Sequence, residues 1–355
     1  MKLKTILKQG LKGMSGKNYF DVDVYRAWTG QVTTSHFATS FDEIKEAGIE
    51  METGLLEENM LFFTAKHLVD GIEHKVFMKP QHSLSHEYDT YRHLVSKGQN
   101  HTAVVIMEDM IMINDNTYLI YPLIPINREE NKSRNLGDAV RESEFVDYPK
   151  AIAKTGIKIA EVLEFLHGNQ VFYFDLKPDN IVTFESENAY WLRFIDFESS
   201  RVGKIDTEKN ELVIDVETDD YIFYTISYAA PELVALHDHI TANADIYSAG
   251  CTLYDLFMGE RNTERMDRFE SLSNVVLDYH RLIRNLLSEE GEQGFSKYGF
   301  VTPSLVMENA EPNGPIPRGL AKIISKCVCI KPEERYSAIE LKNALTEYVA
   351  IKELE

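Results

Sequence analysis

The chain has 355 residues, 44% of them hydrophobic and 26% charged, a balance that excludes global disorder and leaves room for about two domains or one large two-lobed fold. With 37 basic and 57 acidic residues the formal net charge is −20, so a phosphate backbone would be repelled by most of the surface and general nucleic-acid binding is not expected. No apolar run approaches the ~20 residues that span a bilayer, and three cysteines make no disulfide framework, so neither a membrane span nor a stapled secreted domain is expected. Cys327 and Cys329 sit in an apolar stretch with no nearby histidine and read as buried thiols of a reducing compartment. Met1–Leu11 lacks the apolar core and small-residue cleavage site of a secretory leader, and a cytoplasmic protein is expected.

Residues 1–20 carry Lys2, Lys4, Lys8, Lys12 and Lys17 and no acid. They read as a solvated tail or short helix, the alternative being an arm for an anionic partner. Strand-like patterning begins near Met60: Met60–Val69 and Ile72–Lys79 flank Asp70-Gly71, a hairpin turn signal. In Ser83–Lys97 the residues Leu84, Glu87, Tyr91 and Leu94 recur at helical spacing and share one face, and Gly98 ends the pattern. Strands are expected over Thr102–Ile113 and Thr117–Ile124 around the turn Asn114-Asp115-Asn116, and the polar run 127–147 reads as a linker.

Beyond the linker, Lys150–His167 has helical periodicity, with Gly168 just past its end. Short strand-like pieces follow at Val171–Phe174, Ile181–Phe184 and Trp191–Ile195, and from about Pro231 the chain is mainly helical. The fold class is therefore α+β and bilobal. It comprises an N-terminal extension over 1–55, a small β-rich lobe with one helix over 56–126, a hinge or linker over 127–147 and a larger, mainly helical lobe over 148–355.

The chemistry is concentrated in Asp175-Leu176-Lys177-Pro178-Asp179-Asn180, followed sixteen residues later by Asp196-Phe197 at the end of an apolar strand. Phosphoryl transfer needs a carboxylate to orient the attacking hydroxyl, a cation near the moving phosphate and oxygen ligands for a divalent metal. Asp175 and Lys177 can supply the first two, and Asn180 and Asp196 the metal ligands. Hard oxygen donors suit Mg2+ or Mn2+.

These residues resemble the eukaryotic-type protein kinase family in its Ser/Thr branch. The family's catalytic loop, D-[LI]-K-P-x-N, matches Asp175 through Asn180, and its metal-binding Asp-Phe pair matches Asp196-Phe197. Thr225-Ile-Ser-Tyr228-Ala-Ala230-Pro231-Glu232 resembles the segment that closes the activation loop, and Asp245-Ile-Tyr-Ser-Ala-Gly250 the start of the central helix. Lys331-Pro332-Glu-Glu-Arg335 resembles the late motif whose arginine pairs with the glutamate at the Glu232 position. The five segments stand in the family's order, and the resemblance covers roughly Met60 to Val349.

The resemblance implies a protein substrate, with ATP and Mg2+ (or Mn2+) as cofactors. It gives Lys79 the α- and β-phosphates and makes Glu87 its ion-pair partner, with Glu73 and Asp89 as competitors. Tyr118–Ile124 would be the last strand of the small lobe running into the hinge. There Tyr121 would border the adenine pocket, Pro122 would offer its carbonyl and Ile124 its N–H. Lys177 and Thr225 favour Ser/Thr over Tyr substrates.

Three features depart from the family. No G-x-G-x-x-G precedes Lys79; Met51–Met60 holds Gly54 with Glu57 and Glu58, and Trp28-Thr-Gly30 is a candidate for helping to cover a nucleotide. Tyr173-Phe174 replaces His-Arg before Asp175, and Phe174 cannot pair with a phosphate on residues 198–227, so activity is expected not to need phosphorylation there. Ile205–Asp220, with seven acids and one base, reads as a solvated mobile loop, the alternative being a site selective for basic substrates. Glu198 follows Asp196-Phe197 in place of glycine, which restricts the backbone and adds charge near the metal ligands. A non-catalytic binding module of the same fold and a small-molecule kinase are the alternative readings. The layout is similar to microbial or viral kinases and to effector kinases secreted into a host cytosol.

Overall fold

The computed structural model describes residues 63–69, 72–80, 85–98, 101–105, 109–113, 116–122, 134–141, 147–186, 189–215, 222, 224–235, 239–258, 283–287, 295–296 and 298–354. The chain divides into two compact units, Met1–Tyr91 with Val105–Arg128, and Arg92–Val104 with Glu129–Glu355. The N-terminal basic stretch, the turn Asp70-Gly71, the segment around Gly54 and Ile124 lie outside the described residues.

In the first unit, β1 (Phe63–Val69) and β2 (Ile72–Pro80) pair antiparallel, Val69 opposite Ile72. The pair β3 (Asp109–Ile113) and β4 (Asn116–Pro122) joins through β4 to β2, giving the order β1-β2-β4-β3. The register sets Lys79 opposite Leu119 and Phe77 opposite Tyr121. Side chains on a strand alternate with a period of two, so Lys79, Leu119 and Tyr121 share one face, and all three are buried. Helix α1 (Glu87–Ser96) begins later than the periodicity predicts, with Ser85 ahead of it receiving the Glu87 N–H at 3.2 Å. Its buried stripe is Glu87, Tyr91 and Leu94.

Two expectations for this region are corrected. Strand structure does not begin at Thr102: residues 101–105 form a turn in which Val104 makes an isolated parallel bridge to Phe194, and the strand starts at Asp109. Val104 and Val105 are buried without belonging to a sheet, and burial alone gives such a run its apolar character. Asn116, expected in the turn, opens β4 opposite Ile113.

In the second unit, residues 134–141, inside the polar run expected to be a linker, form β5 (Arg134–Asn135) and α2 (Leu136–Arg141). Asn135 caps this helix, its side-chain oxygen accepting from Asp138 N at 2.8 Å, and Leu136, Ala139 and Val140 are buried. β5 continues a sheet with β7 (Ile181–Ser186) and β8 (Ala189–Phe194). Helix α3 (Tyr148–Gly168) is capped by Asp147, which accepts from Lys150 N at 3.0 Å, and includes Gly168 as its last residue.

The larger unit is organised around α5 (Asn243–Met258), buried from Ala244 to Phe257. A helix buried on every side belongs to the core, and its polar residues Asp245, Ser248, Thr252 and Asp255 are buried with it. Gly250 is where α5 meets the end of α7 (Arg318–Cys327): a Cβ there would stand 2.7 Å from Cys327 Cβ and Val328 Cγ1. This unit also holds β6 (Val171–Phe172), α4 (Pro231–Val234), α6 (Pro303–Glu308) and α8 (Ala338–Leu354), with α8 packed along α3.

The stretch expected to be a mobile acidic loop is instead partly a sheet. β9 (Arg201–Val202) pairs with β6. β10 (Lys204–Asp206) and β11 (Glu211–Asp215) form a hairpin whose second strand pairs with β12 (His239–Thr241). Asp206 Oδ1 accepts from Glu208 N at 2.9 Å in the turn, and Asn210 takes the left-handed φ of 54° that such a turn needs. Leu212 and Val213 are buried. The short run of apolar β-formers Leu212-Val213-Ile214 thus outweighs the acidic composition. Gly203 sits where a Cβ would meet the Phe172 ring at 2.4 Å and Val213 O at 2.7 Å. Gly203→Ala is therefore expected to cost ~1–3 kcal/mol by overpacking, lowering the Tm and opening residues 204–215 to limited proteolysis. An unchanged digestion pattern would contradict the packing of this hairpin on Phe172.

Candidate active site

The turn between β6 and β7 is built on the Asp245 carboxylate, which is fully buried at the start of α5. Oδ1 accepts from Phe174 N at 2.8 Å, and Oδ2 accepts from Tyr173 N at 3.0 Å and faces His167 Nε2 at 2.9 Å. Phe174 is held at φ 64°, a left-handed conformation that costs a bulky residue ~1–3 kcal/mol. Two hydrogen bonds to a charged acceptor, at ~1.5–3 kcal/mol each, exceed that cost. The reversed backbone at Phe174 precedes Asp175 directly.

Around Asp175 the sequence-predicted residues come together. Thr225 N donates to Asp175 Oδ1 at 2.8 Å. Lys177 Nζ and Asn180 Nδ2 both reach Oδ2 at 2.8 Å, and Asn180 Nδ2 also donates to the Asp175 carbonyl at 2.9 Å. Lys177 Nζ further donates to Thr225 Oγ1 at 2.6 Å. A carboxylate has about four acceptor positions, so these three donors leave acceptor capacity for a hydroxyl. With its amide nitrogen donating to Asp175, Asn180 has its side-chain oxygen as the remaining polar atom.

Asp196, the other expected metal ligand, takes a left-handed φ of 61°, the second strained residue of the region. Phe197 next to it is fully buried, with its ring edge-on to Tyr173 at 5.0 Å. Tyr173 also donates through its hydroxyl to Ile195 O. Tyr173 thus braces the strand end that carries Asp196. Phe174 stacks on Phe172 with ring centroids 5.0 Å apart, an apolar contact where an arginine would present a cation. Arg201 is buried and donates to the carbonyls of Ser199 and Ser200, at 3.2 and 2.9 Å. Glu198 is half-buried.

Among the described residues no group of three or more His, Cys, Asp or Glu side chains is placed to hold a metal ion. An amide oxygen and one carboxylate form a small hard-donor set, which fits Mg2+ arriving with phosphate oxygens and water as its remaining ligands.

In the first unit, Lys79 Nζ lies 2.8 Å from Glu87 Oε2, and both side chains are buried. Asp89 instead points outward, 64% exposed and 3.9 Å from His86. Tyr121 turns its hydroxyl to Glu87 Oε1 at 2.6 Å, a bond the sequence reading does not anticipate. Its available signal is the strand register, which puts Lys79 and Tyr121 on one face. Pro122 ends β4 opposite Val76, and Ile124 lies outside the described residues.

Arg335 and Glu232 form a closed ion pair, Nη1 to Oε1 at 2.6 Å and Nη2 to Oε2 at 2.8 Å. The remaining guanidinium donors go to the carbonyls of Cys329, Asn243 and Ile330, at 2.7, 3.0 and 3.0 Å. All five N–H groups are thereby used, and the guanidinium lies 5.0 Å from the Tyr247 ring centroid.

A protein kinase domain family model matches residues 63–346. The chain belongs to the protein kinase family. It is similar to eukaryotic members of the Ser/Thr type. It is 25% identical over 169 residues to Cyclin-dependent kinase 1 of Encephalitozoon cuniculi (strain GB-M1), covering 46% of this chain and 50% of that protein. It is 24% identical over 223 residues to Serine/threonine-protein kinase AFC3 of Arabidopsis thaliana, covering 60% of this chain and 53% of that one. It is 28% identical over 141 residues to Serine/threonine-protein kinase Doa of Drosophila melanogaster, covering 38% of this chain and 17% of the relative. The chain thus spans about half, or less, of the length of these relatives.

The Glu232–Arg335 pair gives a direct test of the larger unit's architecture. Glu232→Ala strands a fully used guanidinium in the interior and is expected to destabilise by ~3–5 kcal/mol, read as a lowered urea midpoint. An unchanged midpoint would sink the assignment of this pair as a structural brace.

Proposed function

We propose that the chain is an ATP-dependent Ser/Thr protein kinase that transfers the γ-phosphate to protein hydroxyls with Mg2+ or Mn2+. The observation that carries this reading is the hydrogen-bonded cluster of Asp175, Lys177, Asn180 and Thr225, in which an ammonium, a side-chain amide and a backbone N–H converge on one carboxylate. ATP with its metal supplies the phosphoryl group and the electrophilic phosphorus. Asn180 and Asp196 would hold the metal through amide and carboxylate oxygens. Lys79, kept in place by Glu87, would hold the α- and β-phosphates. Pro122 and Ile124 would offer a carbonyl and an N–H to the adenine.

Asp175 would orient the substrate hydroxyl and receive its proton late, and Lys177 would steady the transferring phosphate. Most of the rate then comes from positioning and fixed charge. These roles fall to a small lobe within 56–126 and a large lobe within 148–355, with 1–55 as an extension and 127–147 as the link. Ser/Thr selectivity is supported by the Lys177–Thr225 bond and by the named relatives. A cytoplasmic setting suits three cysteines and the acidic composition. Among the described residues, no helix is long and apolar enough to cross a membrane.

Activity without phosphorylation of residues 198–227 belongs to the same proposal. It is supported by the Phe172–Phe174 stack and by the pairing of β9 with β6 and of β11 with β12, which give this segment apolar and backbone anchors. A phosphoamino acid held by arginines gives charge-assisted anchors of another kind.

Transfer of label from γ-labelled ATP, with Mg2+ or Mn2+, to the protein and to a basic protein substrate tests the reading. Asp196→Ala is expected to lower transfer by at least ~10²-fold. A wild-type protein that binds ATP without transferring label would favour the binding-module reading, and label on a metabolite alone a small-molecule kinase. Phosphatase-treated protein is expected to retain its transfer rate. A rate that collapses on treatment and returns on rephosphorylation would overturn the proposed independence.

A further inference from the structure

The buried Lys79–Glu87 pair needs more than its own attraction. Removing two charges from water is costly, and the pair is well held only if further hydrogen bonds satisfy the remaining lone pairs. Glu87 is the first residue of α1, where the helix end favours an anion. Its Oε2 is used by Lys79, and its Oε1 receives the Tyr121 hydroxyl at 2.6 Å. Tyr121 is 6% exposed, and its ring lies edge-on to Tyr91, one turn along α1 from Glu87, at 5.8 Å. Strand register fixes this approach from below, since Tyr121 and Lys79 stand on one face of the β2–β4 pair. Burial, then the neighbouring Glu87 carboxylate, push the Tyr121 phenol well above its usual range, so it stays a neutral donor.

We propose that Tyr121 is a positioning residue: its hydroxyl holds the Glu87 carboxylate in the orientation that keeps the Lys79 amine placed for the nucleotide phosphates. This rests on the reading of the chain as an ATP-dependent kinase. It gives Tyr121 a task other than bordering the adenine. The ion pair is set by the strand and helix themselves, with a phenol as its third member. The carboxylate is gripped from both oxygens, so rotation about its last side-chain bond breaks one bond or the other.

The test compares wild type, Tyr121→Phe, Glu87→Gln and the double variant by kcat and KM for ATP and for a protein substrate. Tyr121→Phe keeps the ring and removes only the donor. Its kcat/KM for ATP is expected to fall about tenfold, with KM for the protein substrate unchanged. The double variant is expected to lose no more than Glu87→Gln alone, because the hydroxyl acts through that carboxylate. Urea midpoints taken alongside show that each protein is folded at the assay temperature. Full activity of Tyr121→Phe beside an active wild type overturns this inference and leaves the kinase reading standing. Additive losses in the double variant overturn it too, since the hydroxyl then acts elsewhere. A wild type that transfers no label overturns the kinase reading and this inference with it.

Discussion

The Asp245 carboxylate is the constraint on which the larger unit's chemistry depends. A carboxylate with no exposure must find donors inside the protein, and this one finds two consecutive backbone N–H groups and a histidine. Those two N–H groups belong to Tyr173 and Phe174, so the central helix dictates the backbone of the loop above it. Phe174 accepts a left-handed conformation in consequence, and Asp175 leaves the turn in the direction where Lys177, Asn180 and Thr225 converge. Position, hydrogen bonding and function are here one arrangement read at three scales.

Around that arrangement the protein replaces polar devices with apolar ones. Tyr173 covers Phe197 with its ring and ties the Ile195 carbonyl with its hydroxyl, so a phenol both packs and donates. Phe174 stacks on Phe172, and the glycine that follows β9 lets the ring and the hairpin strand approach. In the other unit a second phenol, Tyr121, completes a buried ion pair. At both Tyr173 and Tyr121 an aromatic ring packs in the interior while its hydroxyl ties down a neighbouring oxygen.

Much of this was legible before any coordinates. The five segments from Asp175 to Arg335 carry side chains whose chemistry is local and whose order is diagnostic, and the hairpin of β1 and β2 follows from alternation around Asp70-Gly71. What escaped the sequence reading did so for definite reasons. Leu136, Ala139 and Val140 are three apolar residues in a polar run, too few to show a helical period, and only tertiary burial makes them a helix face. The β10–β11 hairpin hides under its charge, because the acids around it mask the short β-branched and apolar run Leu212, Val213 and Ile214. The Tyr121–Glu87 bond joins residues 34 apart and depends on the strand register that puts Tyr121 on the face of Lys79, which leaves no trace in local composition.

That hairpin has a consequence for how the larger unit is held together. Ala242 N donates to Leu212 O of β11, and Asp245 N in turn donates to Ala242 O, so a short relay of backbone bonds runs from the hairpin to the residue whose carboxylate holds the turn before Asp175. Main-chain bonds of this kind do not depend on which side chains the hairpin carries. Residues 211–215 are thereby tied to the start of α5 through their backbone, so exchanging their acids for other side chains would leave that tie in place, although their composition is that of a surface tether.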